Sequence, residues 1–68
     1  MIKYTLLDGS SLGNKLSLAY INSDDNKWCN FIRQLDENII EATYNGITET
    51  EITFMHEEEL TFFILRWS

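Results

Sequence analysis

The sequence predicts an α+β fold, a single antiparallel sheet of about five strands packed against one amphipathic helix in the order ββαβββ. Three observations predict it. Between residues 23 and 37, Trp28, Phe31, Ile32 and Leu35 fall at i, i+3, i+4 and i+7, which places them on one helical stripe. Most of the remaining chain alternates apolar and polar residues with period two, as half-buried strands do. Asn45-Gly46 lies between two such stretches and is a strong local signal for a β-hairpin. A helix this short is unstable alone, so it needs a sheet to cover.

Residues 2–7 read as the first strand, with Ile2, Tyr4 and Leu6 alternating with Lys3 and Thr5. Residues 8–14 (DGSSLGN) carry turn chemistry and read as a loop. Residues 15–21 read as a second strand, with Leu16, Leu18 and Tyr20 on one face, closing a hairpin with the first. The helix is expected over about 24–37. Ser23 or Asp24 caps it, Asp24 and Asp25 complement its dipole, and Asn38 leaves it.

The third strand is expected at 39–44. A two-residue type I′ turn at Asn45-Gly46 would pair Tyr44 with Ile47, Ala42 with Glu49 and Ile40 with Glu51, leaving Ile39, Glu41 and Thr43 on the other face. The fourth strand is expected at 47–56, a turn at Glu57-Glu58-Glu59, and the fifth strand at 60–67. That last strand is apolar on both sides, with Leu60, Phe62 and Ile64 opposite Phe63, Leu65 and Trp67. One helix covers one face only, so the second apolar face calls for a curled sheet or another chain.

With 68 residues, positions 1–68 form one small domain. A chain of this size buries only about 60% of its unfolded surface, so its stability is marginal and a partner helps. An apolar fraction of 44% argues against intrinsic disorder. No window nears the ~20 apolar residues of a membrane span, and the alternating start is not a signal peptide. Cys29 is the single cysteine, so no internal disulfide forms and a cytoplasmic location is expected.

Eleven acidic residues against five basic ones give a net charge of -6, which argues against direct contact with nucleic acid or an anionic membrane. The charge is lopsided. No Lys or Arg lies from Gln34 to Leu65, while Asp36, Glu37, Glu41, Glu49, Glu51, Glu57, Glu58 and Glu59 all do.

Catalysis is not expected. Cys29 and His56 are the only thiol–imidazole pair; Cys29 borders the apolar stripe as a small hydrophobe, and His56 beside three glutamates reads as a solvated surface residue. One Cys and one His supply no zinc set, and the DGSS and SDDN stretches lack EF-hand spacing. No phosphate loop or nucleophile elbow is present, so no metal and no cofactor is expected.

The acidic half is the feature above background. Asp36, Glu37, Glu49, Glu51, Glu57, Glu58 and Glu59 are the expected partner-binding residues. Glu49 and Glu51 would lie ~7 Å apart on one strand face, close to the spacing of phosphates along an extended single strand. Such a surface suits a basic, nucleic-acid-binding protein, is steered to it electrostatically and is weakened by salt. Phe63, Leu65 and Trp67 form a candidate hydrophobic interface, homodimeric or docking.

In size, acidity and lack of catalytic residues the chain is similar to phage-encoded inhibitors of bacterial defence systems, anti-CRISPR proteins among them, and to nuclease-toxin immunity proteins. That resemblance of profile implies a non-enzymatic inhibitor of a nucleic-acid-handling enzyme in a bacterial or phage-infected cell. The alternatives are an accessory or homo-oligomeric subunit assembling through the C-terminal strand, a protein-binding module whose acidic surface only solubilises it, and a small enzyme using Cys29 and His56.

Overall fold

The computed structural model describes residues 1–46 and 48–67. Its elements are β1 (Ile2–Leu7), α1 (Ser11–Ile21), α2 (Trp28–Leu35), β2 (Ile39–Asn45), β3 (Glu49–Phe54) and α3 (Glu57–Trp67). The α+β class holds, but the sheet has three antiparallel strands with β3 in the centre, in the order β1-β3-β2. The strands expected at 15–21 and 60–67 are helices.

Residues 11–20 contain no β-branched side chain, and Leu12, Leu16, Ala19 and Tyr20 recur at i, i+4, i+7 and i+8. Ser10 caps the resulting α1: its Oγ accepts the Gly13 N–H at 3.0 Å and donates to the Leu7 carbonyl at 2.7 Å. Gly13 is a packing residue and not a turn residue. A Cβ there would stand 2.4 Å from the Leu7 carbonyl oxygen, so only glycine lets α1 fold back against the end of β1.

Helix α2 is shorter than the expected 24–37, and neither Ser23 nor Asp24 caps it. Ser23 Oγ donates to the Tyr20 carbonyl at 2.7 Å, finishing α1, and Asp25 Oδ1 accepts the Lys27 N–H at 3.0 Å, shaping the connection. Lys27 occupies the cap position without a side-chain bond, and Asp36 ends the helix.

The three glutamates expected in a turn open α3 instead, where their charge faces the positive end of the helix. Glu59 Oε1 accepts the His56 N–H at 3.0 Å while the Glu59 N–H donates to the His56 carbonyl at 3.2 Å, a reciprocal cap. Leu60, Phe63, Ile64 and Trp67 form the inner stripe, and Phe62 and Leu65 point outward. The candidate interface of Phe63, Leu65 and Trp67 is therefore divided: Phe63 is fully buried, Trp67 half-buried and Leu65 exposed.

The hairpin register also differs. Asn45 is the last residue of β2 and pairs with Glu49, so three residues, 46–48, connect the strands. Gly46 supplies the positive φ (77°), and no non-glycine residue among those described has one, so Asn45-Gly46 is not a type I′ pair. The expected Tyr44–Ile47 pair involves Ile47, which lies outside the described residues. Tyr44 faces Thr50, Thr43 faces Glu51 and Ala42 faces Ile52. A bulge at Ile40 restores Ile39 to the side of Ala42, opposite Phe54.

All three helices cover one face of the sheet. Leu6, Ile39, Ala42, Ile52 and Phe54 meet Leu16 of α1, Phe31 and Ile32 of α2, and Phe63 of α3 in one core. Full burial of each large apolar side chain contributes about 1.5–3 kcal/mol. Helix α2 lies over β2, while α1 and α3 pack together on the β1 side. Thr50 is the polar exception on the covered face; its Oγ1 accepts the Trp28 Nε1–H at 2.8 Å.

Candidate functional site

Among the described residues no helix packs on the opposite face of the sheet, and its residues follow from the register. Lys3, Thr53 and Glu41 form one row across the strands, Thr5, Glu51 and Thr43 the next, and Leu7, Glu49 and Asn45 the third. Glu41 and Glu49 are exposed, Glu51 is half-buried and Thr53 is buried. Glu49 and Glu51 stand ~7 Å apart along β3, and Glu41 is a diagonal neighbour of Glu51 at ~7–8 Å. Among the described residues Lys3 is the one cation on this face, its Nζ 3.4 Å from Glu51 Oε1. Among the described residues Glu41 and Glu49 have no ion-pair partner.

The other predicted acidic residues gather at one end of the sheet. Ile39 and Ile2 both pair with Phe54, so the start of β2 and the end of β3 lie together. Asp36 and Glu37 enter there just before β2, and Glu57, Glu58 and Glu59 leave there just after β3. Two of these have local structural work: Asp36 Oδ1 accepts the Asn38 N–H at 2.9 Å, and Glu59 caps α3. Glu41 was not among the expected binding residues, because the two-residue turn placed it on the face opposite Glu49 and Glu51.

A second region lies at the far end of the sheet. A cleft of about 570 Å³ opens between α1, α2 and the ends of β1 and β2. Its apolar walls are Tyr20, Trp28 and Tyr44, and Asp8 and Lys27 bring opposite charges to it. Trp28 stacks on Phe31 with centroids 6.0 Å apart and meets the Tyr20 ring edge-on at 5.3 Å, so its orientation is fixed from behind. The Tyr44 hydroxyl donates to Asp8 Oδ2 across a long 3.5 Å. Partial desolvation of Tyr44, then the Asp8 charge and this bond, hold the phenol above its ordinary 10.0.

Cys29 also lines this cleft, whereas His56 borders a separate, shallower cavity with Glu57, Glu58, Thr61 and Phe62 at the start of α3. The thiol and the imidazole thus belong to different cavities. No three His, Cys, Asp or Glu residues among those described are grouped to hold a metal ion.

Apolar side chains are also exposed on two of the helices. Leu18 and Ile21 on α1 and Phe62 and Leu65 on α3 are each more than 60% exposed. No helix among the described residues is long and apolar enough to cross a membrane. Comparison with known proteins gives no match: no family model, no curated protein and no solved structure corresponds to this chain.

Proposed function

We propose that this protein is a non-enzymatic inhibitor that docks its uncovered acidic sheet face onto a basic, nucleic-acid-handling protein. The observation that carries this reading is the carboxylate set Glu41, Glu49 and Glu51, held at ~7–8 Å spacing on a rigid sheet with a single lysine among them. Strands fix side-chain positions better than loops, so the charges are pre-organised for a partner that normally binds spaced phosphates. The acidic end at Glu37, Glu57 and Glu58 extends the negative field beyond the face and steers encounter.

The test is affinity capture from the native cell with the wild type and with the triple reversal Glu41→Lys, Glu49→Lys, Glu51→Lys. The wild type should retain a basic nucleic-acid-binding protein at low salt and release it as ionic strength rises. The reversal should retain none while keeping its circular dichroism. Equal capture by both would falsify this function.

A second function, self-association, is favoured by Leu18, Ile21, Phe62 and Leu65, which leave apolar surface on the outer sides of two helices that pack together. Sedimentation should then show a dimer that Phe62→Ser with Leu65→Ser converts to a monomer. A wild-type monomer at high concentration removes it.

A further inference from the structure

The cleft at the far end shares no residue with the acidic sheet face, and what occupies it is a separate question. We infer that it binds an organic cation, a guanidinium or alkylammonium group. Its volume of about 570 Å³ lies within the roughly 300–1,000 Å³ typical of small-molecule sites. Tyr20, Trp28 and Tyr44 line it, and aromatic faces attract a cation within about 6 Å of the ring. Asp8 brings a carboxylate to it, with its N–H tied to the Thr48 carbonyl at 2.9 Å and its Oδ2 3.5 Å from the Tyr44 hydroxyl.

The competing ligand is an anion, and two features of the same cleft speak for it. Lys27 lines it, and the first turn of α2 begins there. Lys27 is exposed on a long flexible stem whose ammonium is strongly hydrated, so it turns to solvent at little cost. The Asp8 carboxylate accepts from the Tyr44 hydroxyl of the cleft wall at 3.5 Å, and the net charge of -6 repels anions from the whole molecule. The balance therefore falls to the cation, and Lys27 becomes the residue that separates the two ligands.

The experiment follows the Trp28 indole N–H by ¹H–¹⁵N NMR while methylguanidinium chloride or N-acetylarginine amide is added, with sodium chloride and sodium acetate at matched ionic strength as controls. Both cations should give saturable shifts at Trp28, and the two salts none. Asp8→Asn and Tyr44→Ala, both at exposed positions, should each weaken binding about fivefold. Lys27→Met should tighten it about twofold by removing a like charge. Glu49→Lys, on the sheet face, should leave it unchanged, so failure here and failure of the sheet-face function are read separately. Tighter binding of methylguanidinium marks a free small cation, and tighter binding of the capped arginine marks a side chain from another protein. Absence of saturable shifts with either cation, or saturable acetate binding that Lys27→Met abolishes, overturns the inference.

Discussion

The two faces of β3 contrast within six residues. Thr50, Ile52 and Phe54 point to the helices and are fully buried, while Glu49 and Glu51 on the alternate positions carry charge on an uncovered face. One face is packed into the helix-covered core, and the other carries threonines, glutamates, Lys3, Leu7 and Asn45, with Thr53 its buried β3 residue. The difference teaches where each kind of residue acts: the covered face holds the core, and the exposed positions of the open face, Thr5, Glu41 and Glu49, stand outside it. Substitutions that treat the faces unequally test that division.

The largest effect is expected on the covered side. Phe63→Ala removes a fully buried ring that sits 5.5 Å from Phe54 and should cost about 3–5 kcal/mol. That is comparable with the whole stability of many small domains, so thermal circular dichroism should show a largely unfolded chain. Thr5→Ala on the open face should stay within about 0.5 kcal/mol. Equal losses would erase the contrast.

Next is Gly13→Ala, which forces α1 away from the Leu7 carbonyl. A loss of about 1–3 kcal/mol in denaturant unfolding is expected, the range for overpacking. A gain in stability, as an ordinary helical glycine would give, would show that the approach is looser than described.

The two tryptophans sharpen the comparison within the covered layer. The Trp28 indole N–H is satisfied by Thr50, whereas the buried Trp67 Nε1 has no partner among the described residues. Trp28→Phe should therefore cost about 1–3 kcal/mol by leaving the Thr50 hydroxyl unpaired, and Trp67→Phe should be close to neutral or stabilising. Matched melting curves of the two variants measure the difference.

The smallest effect concerns pH at the cleft. Because the Tyr44 phenol is raised in the folded state, its contribution is fully present below pH 10.0 and is lost as pH climbs through the raised value. Asp8→Asn should move the Tyr44 ultraviolet titration downward; an unmoved titration would remove Asp8 as a cause.

Legibility in the sequence varied with the kind of signal. β1 was read with its observed bounds, because Ile2, Tyr4 and Leu6 alternate and the turn residues Asp8 and Gly9 stop it. The stripe Trp28–Phe31–Ile32–Leu35 was also real, with Phe31 and Ile32 buried. For α3 the sequence reads as a strand although Leu60, Phe63, Ile64 and Trp67 repeat the same helical spacing, because Phe62 and Leu65 on its outer side complete an unbroken apolar run over 62–65 that period two fits as well. α1 was misread for a related reason: Leu18 and Ile21 face outward, and Gly13 looked like a turn residue when it serves a close approach.

The candidate site was legible as a charge pattern and not as a surface. Glu49 and Glu51 share a face under any register, since strand side chains alternate. Whether Glu41 joins them depends on the length of the turn and on the bulge at Ile40, and a one-residue change in either reverses the face. The cleft was not legible at all, because Asp8, Tyr20, Trp28 and Tyr44 come from four separate segments.

By itself the sequence determined a small α+β chain, one strongly amphipathic helix, an acidic second half and glycine at the hairpin. The tertiary structure alone decided that the second and last amphipathic segments are helices, which carboxylates share a face, and that three aromatic rings line one cleft. The physical reason is range. Caps, alternation and charge are properties of neighbours in the chain, whereas the choice between helix and strand for a mixed apolar segment is made by what it packs against.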